Sequence, residues 1–301
     1  MNVAITGRSG FVGCNLEIFL EQNGFIVFPV KRYDDGFDFE SLPTENIYAF
    51  IHLAGKAHDL KNISNPEDYY KANTELTKQL FDFFLASRVE VFIFMSSVKA
   101  AADRVEGVLT EDVDPQPETH YGKSKRAAEE YILTHLPEGK RVYILRPCMI
   151  HGPGNKGNLN LLYKLVSKGL PWPLAAFENK RSFCSIDNLC FVIKELLENA
   201  SIPSGIYNVA DDEAVSTNEL ISLIAASQQK KARFLKIQKG LIQSLAKIGD
   251  KLKLPLNSER LQKLTESYVV SNAKIRAAVG KPLPLDAREV LKKTLASFKG
   301  G

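Results

Sequence analysis

Apolar residues fall in short unbroken runs through the first half of the chain: NVAIT (2–6), FIVFPV (25–30), YAFIHLAG (48–55), VFIFMSS (91–97) and RVYILRP (141–147). Each has the length of a strand, and apolar residues at successive positions predict burial on both faces. Between the runs, apolar positions spread to helical spacing. CNLEIFLEQNG (14–24) reads as a helix stopped by Gly24. Residues 66–87 carry Leu76, Leu80, Phe84 and Leu85 on one side, and another helix is expected from about 119 to 135. Alternating strands and helices of this kind predict an α/β fold with a parallel sheet covered on both faces.

The second half changes character. Residues 151–183 are rich in Gly, Pro and Asn, with one short helix near 159–168. Helical spacing returns at 188–200, 216–227, 240–253 and 286–299. The expected partition is a nucleotide-binding domain over 1–155, with returning segments from about 183–212, and a smaller lobe drawn mainly from 156–301. The stretch GLIQSLAKIGDKLKL (240–254) reads as an amphipathic helix with lysines on one side. An apolar side toward the core is the preferred and usual explanation of such spacing, and transient membrane contact is the alternative.

Composition narrows the class. No run approaches the roughly 18 apolar residues of a membrane span, and a strand opens the chain without a basic, cleavable leader. A cytoplasmic protein without stable membrane insertion is expected. Cys14, Cys148, Cys184 and Cys190 are scattered with no CxxC pair, so buried free thiols are expected rather than disulfides or a metal site. The net charge of +4 hides an asymmetry: residues 230–301 carry 17 Lys and Arg against 5 Asp and Glu, leaving the remainder at −8. These cations are interleaved with apolar residues, which reads as a solvated helix face, and no nucleic-acid-binding motif accompanies them.

The sequence TGRSGFVG places Gly7, Gly10 and Gly13 at three-residue intervals between a strand and a helix. Gly7 permits a sharp turn, Gly10 a close approach of a pyrophosphate, and Gly13 the packing of the helix on the sheet. Exposed amides at the helix start then hold phosphate oxygens. At the end of the second strand, a site for NAD normally presents Asp or Glu to the ribose. Here the residues are Val30-Lys31-Arg32. A cation favours a 2′-phosphate, and Arg8 in the glycine loop adds a second, so NADP(H) is the expected cofactor. NAD(H) is the alternative if both arginines are only surface charges.

The spacing GxxGxxG, with Phe11 in GxxGFxG, resembles the extended branch of the short-chain dehydrogenase/reductase superfamily, which acts mainly on nucleotide sugars. This resemblance implies a Rossmann doubly wound parallel sheet with a smaller discontinuous C-terminal substrate lobe. It implies that Asp38 and Phe39 sit at the adenine, and that Leu53, Ala54, Gly55 and Pro147 border the cofactor. It is also compatible with a homodimer built on two helices of the first domain.

Tyr121 and Lys125 in YGKSK lie one helical turn apart and so share a face. A nearby ammonium lowers a tyrosine pKa from its usual value of roughly 10, preparing Tyr121 to exchange a proton with a sugar oxygen. Ser97, ending the 91–97 run, is expected to hydrogen-bond the same oxygen. Ser96 is the competing serine. Where similar dehydratases carry Thr or Ser followed by Asp-Glu, this chain has Ser97-Val98-Lys99, so water elimination lacks its carboxylates.

HLAGKAH (52–58), SSVKA (96–100), HGPGNKGNL (151–159), GLPWPL (169–174) and NKRSFCSIDNL (179–189) resemble UDP-glucose 4-epimerase-like enzymes and UDP-4-keto-6-deoxy-N-acetylhexosamine 4-reductases of surface polysaccharide synthesis. The resemblance implies a UDP-sugar substrate held by Arg181, Asn158 and Lys56. NADPH-dependent ketoreduction is the preferred reading. A 4-epimerase holding NAD tightly is the second, and a non-catalytic nucleotide-binding protein the third.

Overall fold

The computed structural model describes residues 1–33, 36–56, 65–155, 158–252 and 257–298. Its strands are β1 (Asn2–Thr6), β2 (Ile26–Pro29), β3 (Ala49–His52), β4 (Val91–Met95), β5 (Val108–Leu109), β6 (Arg141–Pro147), β7 (Met149–His151), β8 (Phe183–Ser185), β9 (Gly205–Val209) and β10 (Val269–Val270). The helices are α1 (Phe11–Gln22), α2 (Pro66–Tyr70), α3 (Leu76–Ala86), α4 (His120–Thr134), α5 (Asn158–Ser167) and α6 (Ile186–Glu198). They continue with α7 (Thr217–Ser227), α8 (Lys239–Leu252), α9 (Ser258–Thr265), α10 (Ala273–Val279) and α11 (Ala287–Ser297).

Six strands form a parallel sheet in the order β2-β1-β3-β4-β6-β9. Side chains alternate across it with the period of two that a pleated strand imposes. Val3, Ile5, Ile51, Val91, Ile93, Tyr143 and Leu145 enter one apolar cluster, beneath Leu16 and Leu20 of α1 and Leu189, Ile193 and Leu196 of α6. Ala4, Phe50, Phe92, Phe94, Val142 and Ile144 enter the other, beneath Leu80, Phe81 and Phe84 of α3 and Ala128 and Ile132 of α4. Two buried faces explain why the strands read as unbroken apolar runs.

A third cluster joins discontinuous segments: Leu159, Trp172, Leu174, Phe183, Val215, Leu220, Ile242, Leu261, Leu291 and Leu295. Trp172 packs inside it. Val270, Ile275 and Val279 leave this group and return to the first sheet face, a crossing that the linear pattern does not predict. Three other features depart from the pattern. Residues 66–87 are two α-helices joined by a π-helical stretch, Lys71–Glu75, and Leu85 is only partly buried. The strand β9 completes the sheet through its pairing with β6. The helix α8 buries Ile242, Ala246 and Gly249, leaving its leucines outside the core. The cysteines are free, but Cys14 is exposed and its thiol meets the Arg8 carbonyl at 3.3 Å.

Candidate active site

The glycine turn is built against its neighbours. Gly7 has φ +73°, and a Cβ there would stand 2.6 Å from the Ala54 nitrogen. At Gly13 a Cβ would stand 2.3 Å from the Gly7 carbonyl oxygen and 2.6 Å from the Arg8 Cα, so the first turn of α1 rests on the loop itself rather than on the sheet. Gly10 is different: a Cβ would approach only the Gly7 oxygen, at 3.3 Å. Gly10 also opens α1 with no capping side chain, which leaves its first-turn amides to an anion. This cradle fits a pyrophosphate. Phe11 packs partly buried beside the first cluster, close to Gly152.

A buried polar relay fixes the strand next to the turn. The Thr77 hydroxyl donates to the Asn73 carbonyl at 2.7 Å and so accepts from His52 Nε2 at 3.0 Å. Nδ1 of His52 is then the acceptor for the Thr6 hydroxyl, 2.6 Å away, which itself accepts the Ala54 amide at 3.1 Å. Burial, reinforced by the Lys125 charge, pushes the His52 pKa down to about 3, so the ring is neutral and holds this one tautomer. Leu53, Ala54 and Gly55 are thereby tied to Thr6 and the glycine turn. Asn73 completes the brace: its Oδ1 accepts the Lys56 amide at 2.8 Å, and its Nδ2 donates to the Lys56 carbonyl at 3.1 Å and to Ser124 at 3.0 Å.

Ser97, Tyr121 and Lys125 come together where β4 meets α4. Thr119 caps α4 by accepting the Gly122 amide at 3.2 Å. Asp103 holds the approach by accepting the amides of Glu118 and Thr119 at 2.7 and 3.0 Å. A Cβ on Gly122 would stand 2.4 Å from the Lys99 carbonyl oxygen, so this glycine lets the helix close on the loop carrying Ser97. Ser97 lies close enough to the Tyr121 phenol to oppose its upward pKa shift, its own hydroxyl accepting the Lys99 amide at 3.2 Å, and Tyr69 meets the phenol ring edge-on at 6.3 Å. Lys125 is buried, donates to the Met95 carbonyl at 2.8 Å and lies 3.1 Å from where a Gly55 Cβ would be. Ser96 turns away to donate to Glu129 at 2.5 Å, and Glu129 pairs with buried Arg146.

The electrostatics differ in sign from the sequence expectation. Burial raises the Tyr121 pKa, and Ser97 opposes it without reversing it. Burial pushes Lys125 down to about 8, with Glu129 opposing. The Lys125 ammonium is engaged by the Met95 carbonyl, and desolvation governs both groups.

The remaining expected residues are spread around this centre. Arg8 is exposed and its Nε donates to Glu17 at 2.6 Å, so a helix carboxylate already neutralises it. Arg32 is exposed beyond the end of β2, in a short bridge with Phe37. Asp38 accepts the Tyr33 hydroxyl and the Ser41 amide, both at 3.2 Å, and Phe39 stacks on Phe83 with centroids 4.1 Å apart. Pro147 ends β6 in the core. Lys56 pairs with Asp68 at 2.6 Å and lies over the Tyr69 ring. Asn158 opens α5, but its side chain lies outside the described residues, as do residues 57–58 and 156–157. Arg181 bridges Val215 and Tyr268 through its backbone and donates from Nη1 to the Lys263 carbonyl.

Lys99, two residues after Ser97, donates to the Asp103 carbonyl at 2.9 Å and lies over the Tyr268 ring. Burial lowers its pKa, nearby Arg181 and Lys263 act in the same direction, and Asp103 opposes them. Lys99, Arg181 and Lys263 are thus within electrostatic reach of one another, with Lys263 also paired to Glu259 at 2.6 Å. His151 is a structural residue: its ring bonds Thr294 at 2.9 Å and lies 3.4 Å from Asp211.

Residues 3–210 match the NAD dependent epimerase/dehydratase family. The chain belongs to this family. Among curated relatives it is 31% identical over 322 residues to a UDP-glucose 4-epimerase of Vibrio cholerae, covering 99% of this chain and 95% of that protein. Solved epimerase/dehydratase structures share the fold. UDP-N-acetylglucosamine 4-epimerase from Bacillus cereus superposes over 100% of both chains with TM-score 0.77 at 17% identity. RMD from Pseudomonas aeruginosa, complexed with NADPH, superposes over 100% of this chain and 99% of its own with TM-score 0.74 at 22% identity. The epimerase/dehydratase assignment makes the protein an enzyme with the expected doubly wound Rossmann sheet. Among the described residues, no helix is long and apolar enough to cross a membrane.

Proposed function

We propose that this enzyme reduces the C4 carbonyl of a UDP-4-keto-6-deoxy-N-acetylhexosamine with NADPH, with Ser97, Tyr121 and Lys125 as its catalytic residues. The observation carrying the reading is a buried Tyr121 next to Ser97 and one helical turn from buried Lys125, its phenol pKa raised by burial. A phenol kept protonated at neutral pH is in the state needed to deliver a proton to a forming alkoxide. A nicotinamide, when bound, would supply the hydride. Tyr121 gives its proton to the C4 oxygen, Ser97 orients that oxygen, and Lys125 binds the nicotinamide ribose. Donors aimed where negative charge develops are the most effective electrostatic arrangement.

The glycine cradle, the Leu53–Gly55 segment, Asp38, Phe39 and Pro147 would hold the dinucleotide. The cations Lys31 and Arg32 support NADP(H) over NAD(H). The Lys99–Arg181–Lys263 group suits a nucleotide diphosphate, with Arg181 as its planar fork. Lys56 and Asn158 complete the proposed substrate contacts, and the third apolar cluster would be the core of the substrate lobe. Two first-domain helices would join a homodimer.

The second reading is a UDP-sugar 4-epimerase with tightly held NAD. It is favoured by the full-length likeness to the Vibrio cholerae UDP-glucose 4-epimerase and by the pairing of Arg8 with Glu17. Incubating the enzyme with the 4-keto sugar and NADPH separates the two. Stoichiometric loss of reduced-nicotinamide absorbance is expected. Interconversion of UDP-sugars without net cofactor consumption would instead establish the epimerase.

A further inference from the structure

The helix α8 is amphipathic twice over. Ile242, Ala246 and Gly249 face the third apolar cluster or its edge and are buried. A second row stays in solvent: Leu241 is 55% exposed, Leu245 45%, Ile248 49% and Leu252 65%. At about 100° per residue these four fall within a wedge of roughly 60°, turned about 95° from the buried row. The segment running into the helix adds exposed Phe234 and Leu235, and its backbone is fixed by bridges to Trp172 and Leu174. About one exposed aliphatic residue per turn, aligned in a row on a helix whose core face is already satisfied, requires a separate explanation.

Charge identifies the occupant. Residues 230–252 contain seven cations (Lys230, Lys231, Arg233, Lys236, Lys239, Lys247 and Lys251) and a single acid, Asp250. Asp250 is engaged in receiving the Ser258 amide at 2.9 Å and its hydroxyl at 2.6 Å. Lys251 lies about 60° and Lys247 about 100° from the edge of the aliphatic row, both on the flank away from the buried row. A second copy is a poor partner, because pairing the rows would bring like charges together. Four side chains also offer a few hundred Å² at most, against the roughly 1,200–2,000 Å² of a stable interface. An apolar stripe bordered by lysines matches the interface of an anionic bilayer, where leucines enter the acyl boundary and ammonium groups meet headgroups.

We propose that α8, with Phe234 and Leu235, docks this enzyme reversibly on anionic membrane surfaces. Docking uses a helix remote in sequence from Ser97, Tyr121 and Lys125, and its test does not depend on which sugar is turned over.

The test is co-sedimentation of the full chain with vesicles of phosphatidylcholine alone or mixed equally with phosphatidylglycerol. Binding to the mixed vesicles alone is expected, with loss at high salt. The double variant Leu245→Glu/Ile248→Glu should weaken binding at least about tenfold, and Lys247→Glu/Lys251→Glu should do so independently. Both pairs are exposed, so unchanged thermal melting and turnover would verify folding. Absence of binding to the mixed vesicles, or equal binding to both kinds, overturns the proposal. So does a concentration-dependent mass increase in light scattering that the Leu245→Glu/Ile248→Glu variant abolishes, because the stripe would then belong to a second copy.

Discussion

Tyr121 and Lys125 show how burial redirects chemistry that a motif only outlines. Their spacing places them on one helix face, but desolvation raises the phenol and lowers the amine to about 8. On the proposed reading, turnover should therefore be flat through neutral pH and decline as pH rises past about 8, where Lys125 loses its charge first. A pH–rate profile that climbs through this range would contradict the proton-donor role. Tyr121→Phe should lower kcat by at least about 100-fold with thermal stability retained, as measured by steady-state turnover and melting. His52 gives a stability prediction. Its pKa is about 3 in the fold and 6.5 for the ordinary imidazole, so the unfolded chain binds more protons between those values. Stability is thus lost as pH falls through this window. Between pH 7 and 5 the wild type should lose on the order of 2 kcal/mol that His52→Gln does not, by urea denaturation.

At the scale of elements, the closeness of α4 to the loop after β4 decides whether serine and tyrosine meet. Gly122→Ala would force a methyl group toward the Lys99 carbonyl. We expect a loss of about 1–3 kcal/mol in chemical denaturation, and a fall in kcat for the folded fraction as α4 is displaced. Periodicity finds α4 closely, because its buried residues recur at helical spacing. It misses the π-helical turn at Lys71–Glu75. Asn73 and Thr74 in this turn and Thr77 just after it are buried polar residues that resemble a solvent face in the sequence, yet their partners lie on β3 and α4. A π turn of this kind resets which side chains face inward. The strand β9 is missed for a related reason: a five-residue segment containing Asn208 becomes a strand through its pairing with β6.

Across the whole molecule, cofactor choice and charge distribution are linked. Arg32 remains exposed near the end of β2, whereas Arg8 is paired with Glu17. Arg32→Ala should then lower the ratio of kcat/KM for NADPH over NADH by about tenfold, the scale of one charge-assisted hydrogen bond. An unchanged ratio would remove the case for NADP(H). The basic C-terminal region is likewise uneven. Lys293 pairs with Asp187 and Lys281 with Glu195, whereas residues 230–252 hold seven cations to one acid.

The sequence by itself determined the layered α/β sheet, the glycine turn and the shared face of Tyr121 and Lys125. All three follow from neighbouring residues: strand and helix periodicity and the conformational demands of a short loop. Only the tertiary structure decided the His52 tautomer, the direction of the Tyr121 shift, the pairing of Lys99 with Asp103 and Tyr268, and the outward turn of the α8 leucines. Desolvation, hydrogen-bond satisfaction and exposure are set by groups that meet across long stretches of chain, such as Thr6 with His52 or Ser96 with Glu129. A linear pattern carries no term for those encounters.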